Sequence, residues 1–183
     1  METSFYTEAE LRSIPFQRLG KHVLISRKCS LYSPETIALG DHVRIDDFCI
    51  LSGTLVIGSY VHISAYTAMY AKYGIVLEDF TTISARVLVF SQNDDYSGNY
   101  LTNSMIPEHL RKVAGGQVTL KKFAIVGAGS MILPGVTIQT GGAVGAMSLV
   151  TRDVDEWSLY TGIPAAFKKT RSREMLKLAE VLE

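Results

Sequence analysis

The sequence predicts an all-β chain wound as a three-sided prism, and three observations predict it. First, Leu120, Val126, Ile132, Ile138, Val144 and Val150 stand six residues apart without a break. A six-residue beat suits neither an amphipathic helix nor a two-sided strand, but it suits a short strand, a corner and a repeat. Second, the same beat runs upstream through Leu19, Ile25 and Leu31, then Leu39, Ile45 and Leu51, then Ile57, Ile63 and Met69, then Leu77, Ile83 and Val89. With the downstream run this makes 18 steps, or about six coils of three. Third, the position four after a marker is small wherever a tight corner would turn it inward, as at Val23, Cys29, Val43, Cys49, Val61, Thr67, Ala124, Ser130 and Ser148. Each coil buries its aliphatic residues only by stacking on the next.

Taken in order, Thr7 and Glu10 form a T-x-x-E capping box that starts a short helix over Glu8 to Ser13, with Leu11 and Ile14 facing inward and Pro15 ending it. Residues 1–18 are therefore expected to be an N-terminal helical cap, and 19–155 the prism. The spacing lengthens to eight only at Leu31 to Leu39 and Met69 to Leu77. Both are third steps, so both extra pairs are expected to bulge at one corner. Four residues break the small-residue rule, namely Glu35, Leu55, Tyr73 and Asn93, and all fall in third steps, which predicts an irregular face. After Asn93 the beat stops for about 25 residues. A loop this long is functional or disordered as a rule, and its body is placed at 95–119. Residues 156–183 leave the prism. There Ser172 is expected to cap a closing helix whose Met175, Leu176, Leu178, Ala179 and Leu182 form one apolar side and cover the open strand edge.

Composition narrows the function. Lys plus Arg equal Asp plus Glu at 18 each, so no global field favours nucleic acid or an anionic membrane. No apolar run approaches the roughly 20 residues of a membrane helix, and METSFYTEAELR lacks the basic and apolar regions of a secretory signal. A cytoplasmic protein is expected. Cys29 and Cys49 share a slot on neighbouring coils, where strands about 4.8 Å apart would permit a disulfide. The slot wants a small apolar residue and the compartment is reducing, so free buried thiols are expected.

The [LIV]-G-x-x-small-x repeat, with VGAG, LPGV and VGAM, closes on GIPA and a basic FKKTR. This resembles the hexapeptide-repeat acyltransferases over about residues 19 to 171. The resemblance implies a left-handed parallel β-helix, a homotrimer, and acetyl-CoA held in the cleft between adjacent prisms. SQNDDYSG and YLTN look like the sugar acetyltransferases of bacterial polysaccharide and O-antigen clusters, and nearest to the dTDP-4-amino-4,6-dideoxyglucose acyltransferases. On that resemblance Ala128 and Ala146 would offer backbone groups to the pantetheine arm, Thr151 and Arg152 would reach the coenzyme's far end, and Lys169 would meet its phosphates. A basic residue of the family is Ala166 here, so Lys168 or Arg171 would have to substitute. Small residues with spare backbone polar groups suit a chain of amides, and phosphates want Lys or Arg.

Galactoside-type relatives carry a catalytic His where this chain reads Gln92-Asn93-Asp94-Asp95. A sugar hydroxyl is a very weak acid and needs a competent base. An amine titrating near pH 8, like the α-amino group, already presents its lone pair to an appreciable extent. It can attack first and lose its proton afterwards, and a carboxylate suffices for that. Asn93, Asp94 and Asp95 are therefore the candidate catalytic residues, and the expected acceptor is the nitrogen of a nucleotide-linked aminosugar. The bland alternative is that the aspartates cap a loop turn. His22 and His42 fall in one corner column with Tyr60, Phe80 and Phe123, which reads as structural. His62 and His109 stand outside that register, and each is an alternative base. No metal is expected. Three other readings stay open: O-acetylation of a sugar or galactoside, a γ-class carbonic anhydrase needing three converging His, and a non-catalytic trimeric scaffold.

Overall fold

The computed structural model describes residues 4–182; Met1 to Thr3 of the expected cap lie outside the described residues. The chain winds through short parallel strands on three faces. The first face stacks Leu24–Ile25, Arg44–Ile45, His62–Ile63, Thr82–Ile83, Ile125–Val126, Ala143–Val144 and Ser158–Thr161. The second stacks Ser30–Tyr32, the first half of Ile50–Ile57, the first half of Ala68–Leu77, Leu88–Phe90, Met131–Ile132 and Leu149–Val150. The third takes Ile37–Leu39, the second halves of the two long strands, Val118–Leu120 and Thr137–Ile138. The marker residues line the axis. All are buried except Leu19 and Leu31, which pack against the core from the first coil.

The corner between the third and first faces carries the expected ladder. His22, His42, Tyr60, Phe80 and Phe123 stack ring on ring at centroid distances of 4.7, 4.7, 5.1 and 5.1 Å. Each adopts positive φ, the conformation that turns a tight corner. Trp157 continues the column at 6.2 Å from Phe123, reaching across the coil where Gly141 stands.

The inward slot of the third face differs from expectation. Glu35 is exposed in a 3-10 turn over Pro34–Thr36, Tyr73 is 43% exposed and Asn93 begins the excursion, yet Leu55 is fully buried. The slot is set by counting two back from the next marker, not four on from the last. On that count Ile37, Leu55, Ile75 and Val118 hold it, all buried and in register. The two extra pairs do bulge at one corner, with Ser33 at φ 55 and Gly74 at φ +91.

Helix α1 (Glu8–Ser13) has the full capping box: Thr7 Oγ1 accepts from Glu10 N at 3.3 Å, and Glu10 Oε2 accepts from Thr7 N at 2.7 Å. Leu11 is buried and Ile14 half-buried against the first coil. At the other end the expectation fails in part. Ser172 Oγ accepts from Glu174 N at 3.2 Å just ahead of helix α2 (Met175–Ala179), but Leu176, Leu178 and Leu182 remain exposed. The edge of the first face is covered instead by Ala166–Thr170, which folds back antiparallel on Ser158–Thr161. A strand satisfies the ladder's free N–H and C=O groups directly, which a helix cannot.

Candidate active site

The excursion is a built structure. Gln92–Asp94 pairs antiparallel with Val113–Gly115, and Asp94 stands opposite Val113. Ser91 anchors both legs. Its hydroxyl donates to Tyr70 O at 3.1 Å and accepts from Tyr73 N at 2.9 Å, while its carbonyl accepts from Gly116 N at 3.0 Å. The excursion thus leaves and returns at one fully buried serine. A single turn over Glu108–Leu110 and the Leu101–Arg111 bridge tie its tip down.

Between this ribbon and the second face lies a cleft of about 380 Å³ lined by Tyr70, Lys72, Phe90, Asp94, Tyr96 and Arg111 among others. Asn93 and Gln92 also line it. Tyr70 and Phe90, one above the other on adjacent coils, stack at 5.4 Å. The two aspartates differ in use. Asp95 Oδ2 accepts from Ser97 Oγ at 2.6 Å and from Ser97 N at 3.1 Å, the bonding of a loop cap. The Ser97 hydroxyl holds its carboxyl below the usual carboxylate range. Asp94 lines the cleft and is exposed.

The histidines are placed as follows. His62, on the first face, lies with Nε2 2.8 Å from Asp46 Oδ2, and Asp46 Oδ1 accepts from Arg44 Nε at 2.8 Å. Burial works to raise the Asp46 pKa, but the Arg44 and His62 contacts outweigh it and hold it low. His109 is exposed in the 3-10 turn of the excursion. His22 and His42 stack on each other and on Tyr60.

The residues expected at the coenzyme fall in three places. Ala128 and Ala146 are exposed on successive coils at the corner between first and second faces, linked by Met147 N donating to Ala128 O at 2.9 Å. The corner is flat because Gly127 packs on the next coil, where a β-carbon would come within 2.7 Å of Gly145 C. Thr151 and Arg152 are exposed one face away, at the corner between second and third faces. Lys169 is exposed on the strand that covers the first face. The three groups thus lie on different parts of the prism surface. Arg171 Nη1 donates to Gly141 O at 2.5 Å, and burial lowers its pKa.

The sequence reading missed Lys72, Arg111, Tyr70 and Phe90. Tyr70 and Phe90 do share a position, one after a marker on neighbouring coils, and that was the available signal.

No family model matches the chain. It is 37% identical to the dTDP-4-amino-4,6-dideoxy-D-glucose acyltransferase of Escherichia coli, covering 98% of this chain and 95% of that one. The chain belongs to the hexapeptide-repeat acyltransferases. Its β-helix is left-handed, as theirs is. The structure of AntD, an N-acyltransferase from Bacillus cereus, with dTDP-4-amino-4,6-dideoxyglucose and coenzyme A bound, superposes on this acyltransferase with a TM-score of 0.96 and 48% identity, covering 100% of this chain and 98% of that one. AntD has also been solved with dTDP and 3-hydroxybutyryl-CoA. A Vibrio cholerae hexapeptide-repeat acetyltransferase with acetyl-CoA shares the fold at TM-score 0.62 and 19% identity, over 91% of this chain and 79% of that one.

Proposed function

We propose that this acyltransferase moves an acyl group from coenzyme A to the amino group of a dTDP-linked 4-amino-4,6-dideoxyglucose or a close analogue, in the cytoplasm, as a step toward a surface polysaccharide. The observation that carries the reading is Asp94 on the ribbon, facing a cleft, in a chain 48% identical to an enzyme solved with that aminosugar and coenzyme A.

The chemistry is short. The amine nitrogen attacks the thioester carbonyl carbon, the C–N bond forms, the carbonyl electron pair re-forms and the C–S bond breaks. Coenzyme A leaves as thiolate. The nitrogen, now cationic, gives its extra proton to the Asp94 carboxylate, which afterwards passes it to solvent or to the departing thiolate. Asp94 also orients the amine before attack. Asp95, bonded to Ser97, shapes the turn beside it, and Asn93 holds the strand leading in.

The donor would lie along the small-residue corner at Ala128 and Ala146, with Lys169, Thr151 and Arg152 at its phosphate end. These residues sit on different parts of the prism, and a groove between two protomers would let one donor molecule meet all of them. A closed threefold assembly supplies that arrangement three times over. AntD was solved with substitutions at a serine and an aspartate that carry the numbers of Ser84 and Asp94 here. Ser84 directly follows the first-face strand Thr82–Ile83, and Asp94 lies on the ribbon beyond the second face.

The test is turnover by Asp94→Asn and Asp94→Ala with the aminosugar nucleotide, alongside sedimentation of the wild-type chain. The reading expects a fall in kcat of about a hundredfold or more with a sedimenting mass of three chains. Full turnover in both variants would remove the carboxylate from the mechanism, and a monomer would remove the shared cleft.

A further inference from the structure

Two cations in the acceptor cleft have no part in the proton chemistry. Lys72 projects from the strand Ala68–Leu77, on the same side as Tyr70 two residues earlier, as strand alternation requires. No ion-pair partner for Lys72 occurs among the described residues. Arg111 reaches in from the excursion. Its side chain is only 18% exposed, and its Nη2 lies 3.7 Å from Glu108 Oε1, whose own side chain is 87% exposed. At 3.7 Å and with its carboxylate in solvent, the pair is loose and yields to a better anion. The two residues also line a second, smaller hollow of about 170 Å³ beside Tyr73, so they form the wall between both hollows. Against them the first cleft sets one carboxylate, Asp94. The chain as a whole has no net charge, so this pairing is a local arrangement.

We infer that Lys72 and Arg111 are the diphosphate-binding pair of this enzyme, and that the diphosphate they take is the acceptor's. The inference rests on the reading of the cleft as the acceptor site. Arg presents a planar fork that grips two phosphate oxygens, and Lys adds a point charge that turns freely. One comes from the rigid prism and the other from the excursion, so the diphosphate clamps the ribbon to the second face. That contact presses Asp94 toward the same cleft, with the Tyr70–Phe90 ring pair offering a flat wall beside it. Coenzyme A also carries a diphosphate. The acceptor's is assigned here because Asp94 shares the cleft, whereas the residues expected at the donor lie on other surfaces.

Titration calorimetry decides between the sources. dTDP and, separately, acetyl-CoA are titrated into the wild-type enzyme and into Lys72→Gln, Arg111→Gln and Lys112→Gln. Lys112 is the control: a neighbouring cation of the same loop that lies over the Tyr100 ring at 5.6 Å. Losing one charge-assisted contact should weaken dTDP by about tenfold or more in Lys72→Gln and Arg111→Gln, leave acetyl-CoA within about twofold, and leave Lys112→Gln like wild type for both. Thermal melts confirm that the variants are folded. Unchanged dTDP binding in folded variants overturns the pair while the acyltransfer reading stands. Weakened acetyl-CoA with unchanged dTDP hands the cleft to the donor and overturns it too. Equal loss in Lys112→Gln reduces the effect to bulk charge. If the wild-type enzyme binds acetyl-CoA but no dTDP, the acceptor reading itself fails, and this inference with it.

Discussion

Gly115 has no room for a β-carbon because the Tyr73 ring stands where one would go: it would lie 2.7 Å from Tyr73 Cε2 and clash with the Ser91 carbonyl as well. Tyr73 in turn donates its hydroxyl to Val113 O at 3.3 Å. The close approach of these two residues seats the returning leg of the ribbon, and so sets where Asp94 stands opposite Val113.

Gly115→Ala should therefore push the ribbon off the prism. Overpacking of this kind costs about 1–3 kcal/mol, and here the backbone at Ser91 cannot rotate away. The expected outcome is a raised KM for the aminosugar nucleotide and a lowered kcat, with acetyl-CoA affinity kept. Steady-state kinetics in both substrates checks it. A uniform loss of affinity for both substrates would contradict the ribbon's separate role.

Gly141 occupies the gap in the aromatic ladder. A β-carbon there would meet Trp157 Cδ2 at 2.5 Å, and φ is +65°. Gly141→Ala combines ring displacement with a left-handed backbone, a loss of about 2–4 kcal/mol. Chemical denaturation should show it, together with a change in Trp157 fluorescence.

Glu10 couples the cap to the first coil. It accepts from Arg27 at 2.7 Å through both oxygens and from Thr7. The Arg27 contact, then Thr7, lowers its pKa from 4.5 to about 2. A depressed folded pKa means the contribution is present in full above 4.5 and is lost as pH falls toward 2. Glu10→Gln should flatten the pH dependence of the melting temperature across that window and leave it alone above it. The difference between wild-type and variant melts at each pH is the readout.

Cys29 and Cys49 are free and buried, as the small apolar slot they share led one to expect even though their spacing would permit a disulfide. Burial pushes the thiols up to about 12 and about 11 respectively. Thiolate is the reactive form, so both should resist alkylation near pH 8 in the native protein and react fully once it is unfolded. Mass spectrometry after a timed iodoacetamide pulse counts the adducts.

The legible part of the molecule is the part with a repeat. The marker beat placed the axis, and Thr7 with Glu10 placed α1. Counting three on from a marker found the ladder from His22 to Phe123. Leu55 misled because the inward slot is fixed by the strand it enters, and the two eight-residue steps hide that. The edge strand Ala166–Thr170 escaped because its Phe-Lys-Lys-Thr has no aliphatic beat; its pairing is made by backbone groups and one ring contact, Phe167 edge-on to Tyr160 at 6.0 Å. The cleft beneath the ribbon was half visible. Asp94 was named from a missing histidine, but Lys72 and Arg111 lie 39 residues apart and meet only because the ribbon folds back on Ser91.

The central claim is that the accepting atom is nitrogen. Free-thiol release from acetyl-CoA, followed with dTDP-4-amino-4,6-dideoxyglucose and then with the matching nucleotide sugar bearing a 4-hydroxyl, tests it most directly. Rapid release with the amine and only background release with the alcohol is the predicted result; equal release from both, or release from the alcohol alone, would contradict it.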